Sequence, residues 1–206
     1  MNRPLIISDC DEVILHMMVP FQQWLDEVHH IHFTFGTPFE EAFRHKDSAD
    51  PVARHIIWAL LGGFFDTEMH RQQPIDGACA ALGRLAEIAD IVVLTNLEDH
   101  RQQARAAQLA GHGLHFPVYC NRGGKGPAVA RLLAERAPGV AVFVDDLDNN
   151  HASVAQHVPQ VWRLHMVGEP RLAPHIPTVP QAHSRIDQWT QAERWIADRI
   201  AEAGAT

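Results

Sequence analysis

The sequence predicts an α/β fold: a parallel β-sheet with helical crossovers and a small α-helical cap inserted near its start. Three observations carry this. Short runs at residues 5–7, 91–94 and 140–144 are apolar on both faces, as strands buried inside a parallel sheet are. From residue 75 onward helical patterns alternate with such runs, the rhythm of βαβ units with right-handed crossovers. Between the first run and the rest, residues 16–74 break that rhythm with a helical, aromatic-rich stretch, so the core is expected to comprise 1–15 and 75–206 and the cap 16–74.

The elements follow in order. Phe21, Trp24, Leu25 and Val28 fall at i, i+3, i+4 and i+7, an amphipathic helix. Residues 29–50 read as irregular, with Phe33, Phe35, Phe39 and Phe43 among His and Thr. Asp50 and Pro51 are start signals for a second helix that ends at Gly62-Gly63 or just beyond. Apolar around much of its girth, it is expected to be sandwiched, with Trp58, Phe64 and Phe65 in the core. Pro74-Ile75-Asp76-Gly77 breaks the chain. A helix (Ala78, Ala81, Leu82, Leu85, Ile88), a strand at 91–94, a polar helix at about 98–110 and a short strand at 117–120 come next. Then come a glycine-rich turn, a helix with Val129, Leu132 and Leu133, the strand at 140–144 and a last strand at 161–164. Residues 168–183 read as loop, and a C-terminal helix carries Ile186, Trp189, Ile196 and Ile200.

A chain of 206 residues supports one sizeable core, and 46% hydrophobic with 20% charged residues is ordinary for a soluble globular protein. A net charge of −8 argues against nucleic acid or an anionic membrane as partner, and it leaves room for a divalent cation beside an anionic substrate. Three cysteines without a C-x-x-C pair fit a reducing compartment. The first apolar run stops at Asp9, too short for a leader, and no run reaches membrane-spanning length, so a cytoplasmic location is expected. Assembly into a homo-oligomer stays open.

Polar residues cluster where the apolar runs end. Asp9 and Asp11 follow the first, Thr95 and Asn96 the second, Lys125 the glycine-rich turn, and Asp145 and Asp146 the run at 140–144. In a parallel sheet those ends point one way and the residues converge on one crevice. Carboxylates from two strands make a hard oxygen site suited to Mg²⁺. A carboxylate can attack phosphorus, and another two residues on can protonate the leaving oxygen. A Thr hydroxyl, a backbone N–H and a Lys ammonium can hold phosphoryl oxygens.

These motifs resemble the haloacid dehalogenase-like (HAD) superfamily, in its phosphatase branch. Residues 6–13, Ile-Ile-Ser-Asp-Cys-Asp-Glu-Val, look like its first motif, and residues 92–96, Val-Val-Leu-Thr-Asn, like its second. Lys125 stands where the third has its Lys, and Val142-Phe143-Val144-Asp145-Asp146 looks like the fourth. The resemblance spans about residues 4–165 and implies a Rossmann-like parallel sheet. It implies Asp9 as nucleophile and metal ligand, and Asp11 as general acid/base with its carbonyl as second ligand. By the same resemblance Asp146 is the expected third ligand, with Asp145 acting through water or as an alternate. The resemblance also implies that Thr95, Asn96 and Lys125 bind the substrate phosphate. Asn150 stands where many members have an Asp. True dehalogenases lack the second Asp of the first motif. The expected function is Mg²⁺-dependent hydrolysis of a small phosphorylated metabolite through an aspartyl-phosphate. A catalytically silent or phosphotransferase protein on the same scaffold is the alternative.

Other features read more plainly. Lys125 is no P-loop Lys, because Gly126 follows it and Tyr119 stands where the first P-loop Gly belongs. His29, His30 and His32 lack the partners of a zinc set. His16, just after the first motif, could reach a substrate. Cys10 reads as filler, with a thiol held protonated by its acidic neighbours. Arg44, Lys46 and Arg54 read as a solvated cap face.

Overall fold

The structure, a computed structural model, describes residues 2–38 and 41–204; Phe39 and the predicted core's ends, Met1 and Thr206, lie outside these. In chain order the elements are β1 (Leu5–Ser8), α1 (Met18–His29), β2 (Ile31–Phe33), β3 (Phe43–His45), α2 (Arg54–Thr67), α3 (Ala78–Ile88), β4 (Asp90–Thr95), α4 (Gln102–Gly111), β5 (Val118–Cys120), α5 (Gly126–Arg136), β6 (Ala141–Asp145), α6 (Asp148–His157), β7 (Trp162–His165), β8 (Ser184–Arg185) and α7 (Trp189–Gly204).

Six strands form one parallel sheet in the order β5-β4-β1-β6-β7-β8. β1 is central: Leu5 pairs with Asp90 on one side and Ala141 on the other, and Ser8 with Val93 and Val144. The chain builds outward from β1 through β4 and β5, then returns to build through β6, β7 and β8. That reversal opens a crevice above the carboxyl end of β1. Alternate residues feed two apolar layers. Ile6, Ile91, Val93, Val142 and Val144 meet α3 and α7 on one face; Leu5, Ile7, Val92, Leu94 and Phe143 meet α5 and α6 on the other. Burial on both faces is why these strands read as unbroken apolar runs.

The segment between β1 and α3 has its own aromatic cluster, in which Phe21 lies 5.4 Å from Phe64 and Phe33 lies 4.8 Å from Phe43 between ring centroids. Leu97, just beyond β4, joins that cluster. The stretch expected to be irregular contains an antiparallel hairpin of β2 and β3; Ile31 and Phe33 of β2 and Phe43 of β3 enter the cluster, while His32, Arg44 and His45 face solvent. The second helix also differs. Pro51 bridges to Arg44 instead of opening the helix, which starts at Arg54 and runs through Gly62-Gly63 to Thr67. It is not sandwiched: Ile57, Phe64 and Phe65 are buried, while Trp58 is 50% exposed.

Gly77, at φ +80°, caps α3 in a conformation open to glycine. α6 is polar enough that its pattern is silent, and it buries Asn150, His151 and Val154. β8 follows residues 168–183, and Ile186 precedes α7 instead of lying on it. No helix of the described residues is long and apolar enough to cross a membrane.

Candidate active site

Asp9 stands one residue beyond β1, its N–H bonded to the Val144 carbonyl at 2.8 Å. Its Oδ1 accepts the Cys10 N–H at 2.7 Å and pairs with Lys125 Nζ at 2.9 Å. Lys125 also reaches Asp145 Oδ2 at 2.7 Å, so a fully buried ammonium joins the ends of β1 and β6. Close packing of α5 on α6 puts Lys125 there: a Cβ on Gly126 would sit 2.2 Å from the Ser153 carbonyl oxygen. The other Asp145 oxygen, Oδ1, accepts the Leu147 N–H and the Asn150 amide, both at 2.9 Å. Asn150 therefore serves as a donor to Asp145.

Asp9, Asp145 and Asp146 each offer an oxygen within 4.8 Å of the others. Burial pushes Asp9 up to about 7 against the pull of Lys125, with Asp145 and Asp11 adding to the rise. Burial, then Asp145 and Asp9, raise Asp146 well above the usual carboxylate range. Burial works to lower Lys125, yet Asp145 and Asp9 outweigh it and hold the ammonium above its ordinary value. Three carboxylates facing one ammonium are short of positive charge, and the Asp146 carboxylate accepts no hydrogen bond from the described residues. An all-oxygen donor set with that deficit fits a hard divalent cation.

Asp11 is held differently. Its Oδ1 accepts Gln72 Nε2 at 2.7 Å, and Arg105 Nη2 lies 2.9 Å from Oδ1 and 3.1 Å from Oδ2. Arg105 projects from α4, fully buried, and also reaches Cys10 Sγ at 3.4 Å. Burial pushes the Cys10 thiol up, beyond the contribution of Asp11 and Asp9, which keeps it inert. The Asp11 carbonyl accepts no hydrogen bond from the described residues.

Thr95 ends β4 beside β1, buried. The side chain of Asn96 is spent between loops: its amide donates to the Gly123 carbonyl and its oxygen accepts from Asn121. What it offers a ligand is its backbone N–H. His16 pairs with Glu169 at 2.8 Å. Lys46 pairs with Asp26, and Arg44 bonds the Ala49 carbonyl.

Sequence patterns did not single out Arg105, Gln72, Glu12, His151 or His165. Glu12, at φ 60°, accepts the N–H groups of Met17, just before α1, and of Met18, its first residue, and burial pushes it up to about 7. His151 and His165 bond the carbonyls of Asp145 and Asp146 through Nε2, at 2.9 and 3.0 Å. A signal existed for two of these. Arg105 lies four residues before buried Leu109 on α4, and His165 is the last residue of a strand whose tip faces the crevice.

No protein-family model matches this sequence, and no curated protein sequence does. Solved structures do match. A HAD-family hydrolase of Deinococcus radiodurans R1 with bound phosphate and sodium superposes with TM-score 0.66 and 16% identity, covering 97% of this chain and 96% of its own. A provisionally assigned phosphoglycolate phosphatase of Lactobacillus delbrueckii gives 0.63 at 14%, covering 95% and 99%. YfnB of Bacillus subtilis, a provisionally assigned HAD hydrolase bound to magnesium, gives 0.64 at 13%, covering 95% and 99%. The fold of this chain is that of the HAD-like hydrolases, matched over nearly its whole length.

Proposed function

We propose that this chain is a HAD-type phosphatase that hydrolyses a small phosphomonoester through a phosphoaspartyl intermediate on Asp9, with Mg²⁺ as cofactor. The observation behind the reading is the buried chain Asp9–Lys125–Asp145 at the point where the sheet's winding reverses, with Asp146 beside it. Neighbours of the same fold bind phosphate or magnesium, which supports it.

Asp9 Oδ1 is fixed by Cys10 and Lys125, which leaves Oδ2 to attack phosphorus. As the new P–O bond forms, the ester bond breaks and the departing oxygen takes a proton from Asp11, which turns from Arg105 and Gln72 and takes up that proton from solvent as the substrate enters. Water then attacks the phosphoaspartate, gives its proton to Asp11, and releases phosphate and free Asp9. Lys125 keeps one N–H beyond its two carboxylates, and it joins Thr95 and the Asn96 N–H in holding phosphoryl oxygens. Asp9, Asp146 and the Asp11 carbonyl would hold Mg²⁺, with Asp145, whose oxygens are already taken, acting through water. When bound, the ion supplies charge that offsets repulsion between phosphate and carboxylates. In this reading residues 16–74 are a cap over the crevice of a core formed by 1–15 and 75–206. That limits substrates to small esters. The three unpaired cysteines support a cytoplasmic location.

The test is para-nitrophenyl phosphate turnover with Mg²⁺ and with EDTA, for the wild type and Asp9→Asn. Turnover that EDTA abolishes and Asp9→Asn lacks is expected. Full activity of Asp9→Asn would discard the mechanism. An inert wild type, across a panel of small phosphate esters, would favour a silent protein on this scaffold.

A further inference from the structure

We infer that His165, backed by His151, is the positioning residue that sets the place of Asp146 and hence the affinity of the acidic cluster for a divalent cation. This rests on the metal reading above and concerns residues that reading does not use.

The two members of the acidic pair are held in different ways. The Asp145 carboxylate is locked by Lys125, Leu147 and Asn150, and its carbonyl takes the Met166 N–H at 3.0 Å besides His151. Asp146 lies one residue past the end of β6. Its carboxylate has no hydrogen-bond partner among the described residues, and its carbonyl accepts one bond from them, from His165 Nε2 at 3.0 Å. The carboxylate most open to a cation is thus steered by its backbone, and the backbone by one imidazole.

That imidazole is itself held by rings. His165 meets His151 edge-on, with 5.6 Å between centroids, and His151 meets Phe143 of β6 edge-on at 5.5 Å. The column Phe143–His151–His165 backs the acidic pair, with both histidines fully buried. A carbonyl acceptor requires the Nε2–H tautomer, which leaves each Nδ1 a bare acceptor. Neither Nδ1 has a partner among the described residues. Two buried acceptors without donors are a standing cost. An apolar ring would avoid it, so stability does not account for imidazole here. The Nε2–H is what an apolar ring cannot supply. Groups that orient metal ligands from behind typically change metal affinity about 10–100-fold when removed.

The experiment titrates the full chain, without substrate, with MgCl₂ by calorimetry, and reads thermal midpoints without metal. His165→Phe keeps the ring and loses the donor; His165→Gln loses the ring but puts an amide N–H where Nε2–H was. Expected is a Kd about tenfold weaker in His165→Phe, within about threefold of wild type in His165→Gln, and a metal-free midpoint for His165→Phe at or above wild type. Should His165→Phe fail to fold, His165→Leu carries the same prediction for Kd. Equal Mg²⁺ affinity in wild type and the donor-less variant overturns the inference while leaving the metal reading intact. Equal weakening in the Gln and Phe variants overturns it too, since packing would then be the cause. A wild type that binds no Mg²⁺ brings down the metal reading, and this inference with it.

Discussion

One nitrogen of Arg105, Nη2, sits 2.9 and 3.1 Å from the two carboxylate oxygens of Asp11, and Arg105 has no exposure to solvent. Removing one partner of a buried ion pair strands the other charge, which costs about 3–5 kcal/mol. Asp11 keeps 16% of its side chain exposed and retains Gln72, so the low end applies. Arg105→Met should lose about 3 kcal/mol in urea unfolding. A loss under about 1 kcal/mol would show the pair to be dispensable.

Asp11→Asn should separate the two half-reactions. Protonation of the leaving group is worth about 10²–10⁴-fold, and most of that is forgone when the leaving group is already a weak base. With para-nitrophenyl phosphate, attack should persist while water activation fails. Phosphate should then accumulate on Asp9, visible by mass spectrometry as a hydroxylamine-labile adduct. Label on Asp11, Asp145 or a histidine would mean that Asp9 is not the nucleophile.

Asp66, near the end of α2, meets Arg101 through two bonds of 2.6 and 2.9 Å, joining α2 to the loop after β4. The Arg101 hydrogen bond, with help from His100, holds the Asp66 carboxyl down at about 2, from 3.8. A depressed carboxylate contributes stability that is present above its unfolded value and lost as pH falls through the folded one. The contribution here should fade between pH 3.8 and about 2. Asp66 is 46% exposed, so it amounts to a fraction of about 1 kcal/mol. Carboxyl carbon shifts followed by NMR should titrate near 2 in the wild type and return toward 3.8 in Arg101→Gln. An unchanged midpoint in the variant would remove Arg101 as the cause.

Two glycines should respond in opposite senses to alanine. Gly83 lies exposed within α3 with nothing near a new Cβ, so Gly83→Ala should stabilise by about 0.5–1 kcal/mol. Gly126→Ala drives a methyl into the Ser153 backbone, costs about 1–3 kcal/mol, and shifts Lys125. Thermal unfolding checks both, and a stabilised Gly126→Ala would contradict the close packing of α5 on α6.

Strands buried on both faces were legible because they read as unbroken apolar runs, and the polar residues at their tips were legible because parallel strands end on one side. The hairpin of β2 and β3 was not, since three residues of alternation among histidines are too few to show a period. Pro51 gave a false helix start: its fixed φ suits a bridge beside Arg44 as well as a first helical turn. Trp58 counted as core from its type, yet it lies on the outer side of α2. Arg105, Gln72, His151 and His165 belong to the site through contacts made across the fold; the neighbours of Gln72 and His151 in sequence carry no trace of those, and the spacing of Arg105 to Leu109 and the strand-end position of His165 are only weak signals. Arg105 in an Ala-rich polar helix resembles any solvated arginine, and His151 and His165 are two histidines among fifteen.

The indole N–H of Trp189 donates to the Val13 carbonyl at 2.7 Å, across 176 residues of chain. Val13 follows directly on the loop that bears Asp9 and Asp11, while Trp189 opens α7. On the ribosome β1 is made before α7, and the loop beside it lacks this anchor until α7 has cleared the exit tunnel. A nascent chain therefore carries its prospective nucleophile through the synthesis of those 176 residues without the contact that closes the loop's far side.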